Sequence, residues 1–298
     1  MIITDTHIGK KWKANVPLGR TGDREEYQRK MFYFAMQGSV GENLYHLGDL
    51  FDSWNVSNDD VMFVAKQIEM WSEISKNNRA FFIAGNHDIS RSGKTSSWHL
   101  LKEICAPLTN VFFFDEPTEF EDDLFLPFSY TKSYEEMAKE YTKSYENVYC
   151  HADYPNVAVL NQIKCCKIYS GHLHNFRPNN VFGKLEFVKV LVPLNHYEAI
   201  GIAGAPYRTY ASVSEWNGHR DDNHDFCVKI IVQPNEIAPN REDIDAMQVI
   251  IARAEEEDSK MFEDVELGEF DSRKVFDECM KDVHEELKEE IWGLYKND

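Results

Sequence analysis

The chain has 298 residues, of which 43% are hydrophobic and 13% aromatic, so it can bury one large core or two smaller ones and is not intrinsically disordered. Its formal net charge is −19, and this acidic balance argues against a broad surface for non-specific DNA binding. The acidity is uneven, because residues 236–298 hold 21 acidic and only 8 basic residues.

The first third of the chain alternates apolar runs with helical patterns. Residues 1–3 predict a very short strand, and residues 8–22 predict a loop rich in glycine and lysine. Asp23 has the side chain of a helix N-cap, and a helix is predicted over 23–37. Another helix is predicted to begin near residue 57, because apolar residues then recur at helical spacing: Val61, Val64, Ile68 and Trp71.

The middle of the chain continues the alternation. Strands are predicted at 44–47, 80–83, 111–114, 124–127, 148–150, 166–169, 184–192, 198–203 and 226–232. Helices are predicted over 93–106, 133–144 and 156–163. Strands that alternate with helices predict an α/β fold.

A break in composition follows residue 232, where prolines and asparagines occur close together. Beyond it, charged helices are predicted over 241–256 and 272–295. The second of these has an apolar stripe, which can either dock a partner or pack on its own core. We expect one domain over residues 1–232 and an acidic helical region over 233–298.

The cysteines show no CxxC spacing, so a structural zinc site is not expected. The chain has no signal-peptide pattern and no apolar run near about 18 residues. These features predict a protein of the reducing cytoplasm that does not span a membrane. We expect free thiols in the core: Cys105, Cys150, Cys165, Cys166, Cys227 and Cys279.

Five strand-like runs each end in residue types that bind metal ions. Parallel strands place their carboxyl ends at one edge of a sheet, so the residues that follow them are expected to converge. A single such motif is weak, but five in one chain make coincidence negligible. The candidate ligands are Asp5 and His7, then Asp49, Asn86 and His151, and finally His172 and His174.

The donor types of this set suit two divalent cations that share the Asp49 carboxylate. A pair of such ions can hold a phosphate group and lower the pKa of a bridging water. His87 is the natural group to protonate a leaving oxygen, and Asp52 is our candidate carboxylate to orient His87. His46 lies inside a strand and is predicted to be a core histidine. The remaining histidines are interpreted as structural or surface residues: His99, His196, His219, His224 and His284.

The order of these motifs resembles the calcineurin-like metallophosphoesterases over about residues 1–232. Within that family, residues 48–52 (GDLFD), 204–207 (GAPY) and 214–216 (SEW) resemble the exonuclease subunit of SbcCD-type DNA repair complexes. The bacteriophage versions are the most similar, and for a viral chain the compartment would be the host cytoplasm. The resemblance implies a four-layer αββα sandwich, here followed by a short acidic helical region.

The resemblance also implies a metal-dependent exonuclease on DNA ends and endonuclease on single strands. The usual activating ion of the branch is manganese, with magnesium, iron or zinc as other possible ions. The implied partners are DNA, an SbcC-type ATPase subunit and a second copy of the chain. In the implied site the first ion is held by Asp5, His7, Asp49 and His174, and the second by Asp49, Asn86, His151 and His172.

Asp52 departs from the cellular nucleases, which carry a histidine there, and is more similar to the protein phosphatases of the superfamily. The alternative function is therefore a stand-alone phosphatase or phosphodiesterase that acts on small nucleotides or phosphoproteins. The family's DNA-capping domain is either reduced to the region 233–298 or missing. The local basic residues that could approach DNA are Lys10, Lys11, Lys13, Arg20, Arg177, Arg208 and Arg220.

Overall fold

The chain consists of two compact units, Met1–Ala254 and Glu255–Asp298. A computed structural model describes residues 1–152, 159–172, 185–187 and 207–254. The second unit, with the helix predicted over 272–295, lies outside the described residues, as does the strand predicted at 198–203.

Four parallel strands form the first sheet in the spatial order β1-β2-β3-β4. Successive side chains of a strand point to opposite faces. In β3, Phe82 therefore packs in one core, whereas Phe81 and Ile83 pack in another. A central strand covered on both faces explains this run of four buried residues. The strands are β1 (Ile2–Ile3), β2 (Leu44–Leu47), β3 (Ala80–Ile83) and β4 (Val111–Phe114).

Five strands form the second sheet in the order β5-β6-β7-β8-β9. The β5–β6 hairpin is antiparallel, and the other pairs are parallel. Cys150 and Ser170, the last residues of β7 and β8, are register partners, so the segments that follow them start side by side. The strands are β5 (Thr118–Phe120), β6 (Asp123–Leu126), β7 (Ser144–Cys150), β8 (Lys164–Ser170) and β9 (Leu185–Phe187).

Aromatic side chains fill the space between these two sheets. Tyr45 of β2 stacks on Tyr149 of β7 with ring centroids 4.5 Å apart, and on Phe81 of β3 at 5.1 Å. Phe125 of β6 stacks on Tyr149 at 5.1 Å. Each aromatic pair contributes about 0.5–1.5 kcal/mol beyond the area it buries. These stacked rings therefore fix the position of one sheet relative to the other.

Helices cover the outer faces of both sheets. The helices α1 (Asp23–Gly38), α2 (Asn58–Ile74) and α3 (Ser97–Cys105) pack on the first sheet, and α4 (Tyr134–Glu140) packs on the second. This order of layers confirms the predicted α/β class and four-layer sandwich. One detail is wrong: Asp23 is the first helical residue, and the N-cap is Gly22, whose φ is 98°.

Helix α2 begins with a side-chain cap. Ser57 is the N-cap residue, and its Oγ accepts a hydrogen bond from the backbone N–H of Asp60 at 3.2 Å. The same hydroxyl lies 2.5 Å from Asp60 Oδ2. The apolar stripe predicted from the sequence is buried against the first sheet: Val61, Val64, Ile68 and Trp71.

Replacing Ser57 with alanine should lower the free energy of unfolding by about 1 kcal/mol, because the Asp60 amide loses its side-chain acceptor. Urea unfolding followed by circular dichroism measures this change. Ser214→Ala, at an exposed helical serine, is the matched control and should change the value by less than about 0.5 kcal/mol. An equal loss in the two variants would contradict a capping role for Ser57.

The strands of a third sheet follow those of the second sheet in the sequence. Its strands run parallel and pair in the order β10-β11-β12. They are β10 (Tyr207–Tyr210), β11 (Cys227–Val232) and β12 (Gln248–Arg253), and a short helix α5 (Val213–Asn217) joins the first two. The strand predicted at 226–232 is thus confirmed as β11.

The helix predicted over 241–256 is wrong. Arg241–Asp243 form a single 3₁₀ turn, and β12 follows. Along β12, Val249 and Ile250 pack in different cores, which is the two-residue period of a strand. The charged residues on both sides of this short run hide that period in the sequence.

Arg24 of α1 ties the third sheet to the N-terminal part of the chain. Its guanidinium lies 4.3 Å from the Trp12 ring centroid and 5.7 Å from that of Tyr207. It donates hydrogen bonds to Tyr207 Oη at 2.8 Å and to Gln248 Oε1. Arg24 is buried, and a buried charge is tolerated only with such acceptors and ring faces. The third sheet is therefore fixed to the loop that carries Trp12.

Within the described ranges, no helix combines the length and the apolar character needed to cross a membrane. The described cysteines are free, as predicted. Cys105, Cys150 and Cys227 are buried, whereas Cys166 is exposed and departs from the core position expected for it.

Candidate metal centre

The carboxyl ends of the first two sheets meet, and the predicted ligands lie there. The backbone N–H groups of Asp5 and His7 donate to the carbonyl oxygens of Gly48 and Asp49, each at 3.0 Å. The segments after β7 and β8 are joined in the same way, since the Gly171 N–H donates to the last carbonyl of β7 at 3.1 Å. These hydrogen bonds extend the strand pairing and keep the ligand-bearing segments in register.

The first group of ligands is Asp5, His7 and Asp49, with one ligand atom of each within 4.8 Å of the others. His7 Nε2 lies 3.8 Å from Asp5 Oδ1 and 3.7 Å from Asp49 Oδ2. The three side chains are buried, each at most 1% exposed. Two carboxylates and an imidazole around one point suit a divalent cation. His174, the fourth ligand implied for this ion, lies outside the described residues.

The second group is Asp49, His151 and His172, again with ligand atoms within 4.8 Å. His151 Nε2 lies 3.3 Å from Asp49 Oδ2 and 3.2 Å from His172 Nδ1. Asn86 belongs with them, because its Oδ1 lies 3.1 Å from the same nitrogen. Asp49 is thus part of both groups, as a carboxylate shared by two ions must be. The structure therefore brings together six of the seven predicted ligands.

The hydrogen bonds of His151 fix which of its nitrogens can bind a cation. Its Nδ1 lies 2.7 Å from the carbonyl oxygen of Leu47, which can only accept, so Nδ1 carries the hydrogen. In the neutral ring, Nε2 then presents a lone pair toward Asp49 and Asn86. An imidazole nitrogen, an amide oxygen and a carboxylate oxygen converge there. Such a set of acceptors fits manganese, iron or zinc.

Negative charge dominates the cluster. Burial alone would lower the pKa of His7, but the nearby carboxylates of Asp5, Asp52 and Asp49 outweigh burial and raise the pKa to about 9. At His151, burial likewise acts to lower the pKa, and the nearby Asp49 raises it to about 9. Buried carboxylates that stabilise two protonated histidines in this way will also stabilise a divalent cation in place of those protons.

Four candidate ligands have left-handed backbone conformations. The angle φ is 51° at Asp5, 44° at His7, 51° at Asp49 and 79° at His172. Only two other non-glycine residues in the described ranges share this conformation. Each such residue costs about 1–3 kcal/mol, and the cost is accepted mainly at functional sites. The fold therefore holds the ligand directions in place through its backbone.

His87 lies beside Asp49, but its contact with Asp52 differs from the expected one. His87 Nδ1 lies 2.6 Å from the main-chain carbonyl oxygen of Asp52, and its Nε2 lies 4.0 Å from Asp49 Oδ2. The Asp52 carboxylate instead lies 3.5 Å from His7 Nδ1 and 3.0 Å from Lys10 Nζ. The predicted pair between this carboxylate and His87 is therefore wrong, because the turn after β2 directs the side chain toward the first loop.

The Asp52 carboxylate nevertheless lies close to the candidate metal centre. Asp52, His7 and His87 each offer one ligand atom within 4.8 Å of the others. The main-chain carbonyl of Asp52 gives His87 the orientation that a carboxylate was expected to give. The catalytic roles of His87 and Asp52 stay predictions.

Asp88 holds two ligand-bearing loops together, a role that we did not assign from the sequence. Its buried carboxylate accepts hydrogen bonds from the backbone N–H groups of Leu50 at 3.2 Å, Phe51 at 2.9 Å and Gly85 at 2.8 Å. Burial, with the charge of Asp49, raises the pKa of Asp88 to about 7. The available signal is its place directly after Asn86 and His87, two candidate residues of the centre.

Gly85 lies directly against the shared carboxylate. A Cβ atom at this position would lie 2.2 Å from both the backbone nitrogen and Oδ1 of Asp49. Gly48 is similar, since its Cβ would lie 2.3 Å from His151 Nδ1 and its φ is 89°. Only glycine allows these loops to approach the ligands so closely.

The lysines of the first loop differ in their contacts, and Arg177 lies outside the described residues. Lys11 and Lys13 are exposed. Lys10 reaches the centre through its ion pair with Asp52 at 3.0 Å. Contact of these lysines with DNA stays a prediction.

Arg20 and Arg208 are engaged within the chain. Arg20 pairs with Asp23 at 2.5 Å and also with Asp245, which links the first loop to the third sheet. The Arg208 guanidinium lies 3.5 Å above the Phe226 ring centroid and donates to a main-chain carbonyl at 2.6 Å. A role in DNA binding would require both side chains to give up these contacts.

Comparison with known proteins gives one family. No curated protein matches the chain. The family model described as calcineurin-like phosphoesterase matches residues 1–190, which is more than half of the chain and includes every candidate ligand. The matched region also contains both sheets whose carboxyl ends form the candidate centre. The chain therefore belongs to the calcineurin-like phosphoesterases, which hydrolyse phosphoesters with the help of divalent metal ions.

Proposed function

We propose that the chain is a two-metal DNA nuclease, active on DNA ends and single strands, and the nuclease subunit of an SbcCD-type repair and recombination complex. Manganese is the proposed ion, and an SbcC-type ATPase and a second copy of the chain are the proposed partners. The resemblance of residues 48–52, 204–207 and 214–216 to that branch supports this assignment within the family.

The observation that carries the proposal is the open side of the centre at His87. The His87 side chain is 41% exposed, whereas Asp49 beside it is buried. A cavity of about 450 Å³ starts there and shares part of its lining with a second cavity of about 590 Å³. Pockets for small ligands enclose most of the ligand's surface. A groove that continues beyond the centre is better suited to a polymer.

Different side chains would bind the metal ions and transfer the proton. Bound divalent cations would polarise the phosphoryl oxygens and lower the pKa of a water molecule. His87, held at Nδ1 by the carbonyl of Asp52, can give a proton from Nε2 to the leaving oxygen. The residues that would hold the ions are Asp5, His7, Asp49, Asn86, His151 and His172, with His174 as the further predicted ligand.

The purified chain should degrade linear duplex and single-stranded DNA in the presence of Mn²⁺. Treatment with a chelator should reduce cleavage to background, and added Mn²⁺ should restore it, because the ions supply the main electrostatic stabilisation. Gel assays with end-labelled and circular substrates measure both activities. The variant Asp5→Asn, purified in parallel, controls for contaminating nucleases. Failure to cleave any DNA with any of the four metals would refute the nuclease.

The second candidate is a stand-alone phosphatase or phosphodiesterase. The residue type of Asp52 favours it, since an aspartate at this position is more similar to the phosphatases of the superfamily. The engagement of Arg20 and Arg208 within the chain also leaves fewer cations for DNA. Turnover of an aryl phosphate monoester much faster than any DNA cleavage would decide for this candidate.

A further inference from the structure

The groove beside His87 has the chemistry of a nucleotide subsite. We infer that it binds the nucleotide next to the scissile phosphate, with a base on Trp54 and Tyr130 and the following phosphate at Arg91 and Lys94. The inference rests on the proposed function and names its substrate at this site as single-stranded nucleic acid.

The groove begins at the candidate metal centre. Asn86 and His87 line its first part together with Trp54 and Tyr130. Tyr130 Oη donates a hydrogen bond to the main-chain carbonyl of Asn86 at 3.2 Å, which ties the groove wall to a ligand-bearing loop. Tyr130 and Arg91 also line the second part, so the two cavities are adjacent. Their volumes, about 450 and 590 Å³, are each within the usual range for a ligand of nucleotide size.

Two large aromatic rings are exposed in the first part of the groove. Trp54 is 39% exposed and Tyr130 is 45% exposed. The backbone of Trp54 is held, because its carbonyl accepts a hydrogen bond from the Ser97 N–H at 2.8 Å. The Tyr130 ring rests edge-on against Phe128, with centroids 4.9 Å apart. Exposed rings on an anchored backbone, or packed against a neighbouring ring, are suitable platforms for stacking of unpaired bases.

The second part of the groove has an excess of positive charge. Lys132 is neutralised by Glu140, and Asp115 pairs with Lys102 at 2.8 Å. Arg91 and Lys94 are exposed and have no ion-pair partner within the described ranges, so they are available to an anion. Among the acidic lining residues, Glu116 alone has no basic partner in the same ranges, which leaves an excess of one positive charge.

The order of these features along the groove matches one strand of nucleic acid. A phosphate at the ligands would be followed by a base at the aromatic rings and by the next phosphate at the two cations. A paired base in a duplex is stacked between its neighbours and cannot offer its face to a ring. A phosphopeptide would use the cations but has no bases for the rings. The groove therefore favours a single strand, on the side where His87 faces the leaving oxygen.

The test compares a short single-stranded oligonucleotide with bis(p-nitrophenyl) phosphate, whose aryl groups are smaller than a nucleoside and which carries no second phosphate for Arg91 and Lys94. Trp54→Ala should raise KM for the oligonucleotide about tenfold or more with its kcat nearly unchanged, and should change the kinetics of the aryl diester much less. The double variant Arg91→Ala and Lys94→Ala should also weaken binding and lower the slope of log affinity against log salt by about 0.7 for each lost phosphate contact. Phe34→Ala and Lys76→Ala, at exposed residues away from the groove, are matched controls.

Fluorescence anisotropy of the labelled oligonucleotide, with the chelator-treated protein, measures binding separately from turnover. If the wild type cleaves both substrates and the groove variants bind and cleave like their controls, the subsite is refuted and the nuclease stands. If the wild type cleaves neither but binds the strand, and the variants lose that binding, the subsite stands and the proposed activity fails. If no binding and no cleavage occur, both fail. An equal loss on both substrates would also refute the subsite.

Discussion

Replacing Asp49 with asparagine is expected to lower kcat/KM for phosphodiester hydrolysis by about 10³-fold or more. Asp49 Oδ2 lies 3.7 Å from His7 Nε2 and 3.3 Å from His151 Nε2, so the carboxylate serves both ligand groups. An amide keeps the shape but removes the negative charge that two cations would share. Metal ions supply several kcal/mol of stabilisation, and each 1.4 kcal/mol is about tenfold in rate.

Steady-state kinetics with an aryl phosphodiester measures this loss, and elemental analysis counts the bound metal. Asp122→Asn, at an exposed carboxylate of the β5–β6 hairpin, is the matched control and should behave like the wild type. Near-ultraviolet circular dichroism checks that both variants fold. If Asp49→Asn binds two ions and stays within tenfold of the wild-type rate, Asp49 is not the shared ligand.

Replacing Gly85 with alanine should reduce activity about 10²-fold although no ligand is removed. The added Cβ would lie 2.2 Å from the backbone nitrogen and Oδ1 of Asp49, so one of the two loops must move. A displacement of about 1 Å at reacting groups can cost about 10²-fold in rate. The overpacking should also lower the free energy of unfolding by about 1–3 kcal/mol. Kinetics and denaturant unfolding of the same preparation measure the two effects.

Gly19→Ala is the control for this substitution, because a Cβ at Gly19 meets no atom within 4 Å and its φ is not left-handed. It should leave activity unchanged and stability equal or slightly higher. Full activity in Gly85→Ala would mean that the loop after β3 can retreat from Asp49 without cost. The centre would then be less rigid than its packing indicates.

The candidate ligands could be predicted because each lies within a few residues of the end of an apolar, strand-like run. Asp49 follows the apolar residues of β2 after one residue, and Asn86 follows those of β3 after two residues. Parallel pairing then brings such positions together without further information. His151 and His172 also follow this logic, since the ends of β7 and β8 are register partners.

Contacts that depend on side-chain direction could not be predicted in the same way. Asp52 was correctly placed near His87, but a turn that the sequence does not specify presents its carbonyl there in place of its carboxylate. The role of Asp88 depends on N–H groups from two separate loops. For β12 the deciding factor is its partner β11, since a short run becomes a strand when a neighbour provides the pairing.

The left-handed backbone conformation of four candidate ligands lowers the stability of the fold, although their side chains are needed to bind metal. These residues are Asp5, His7, Asp49 and His172. Glycine adopts this conformation without steric cost, so it would relax each position while deleting a metal ligand. Selection for folding stability alone would favour glycine at these positions, and the protein would then lose its metal ligands and its activity. The aspartates and histidines at these positions therefore supply metal ligands at the expense of backbone stability.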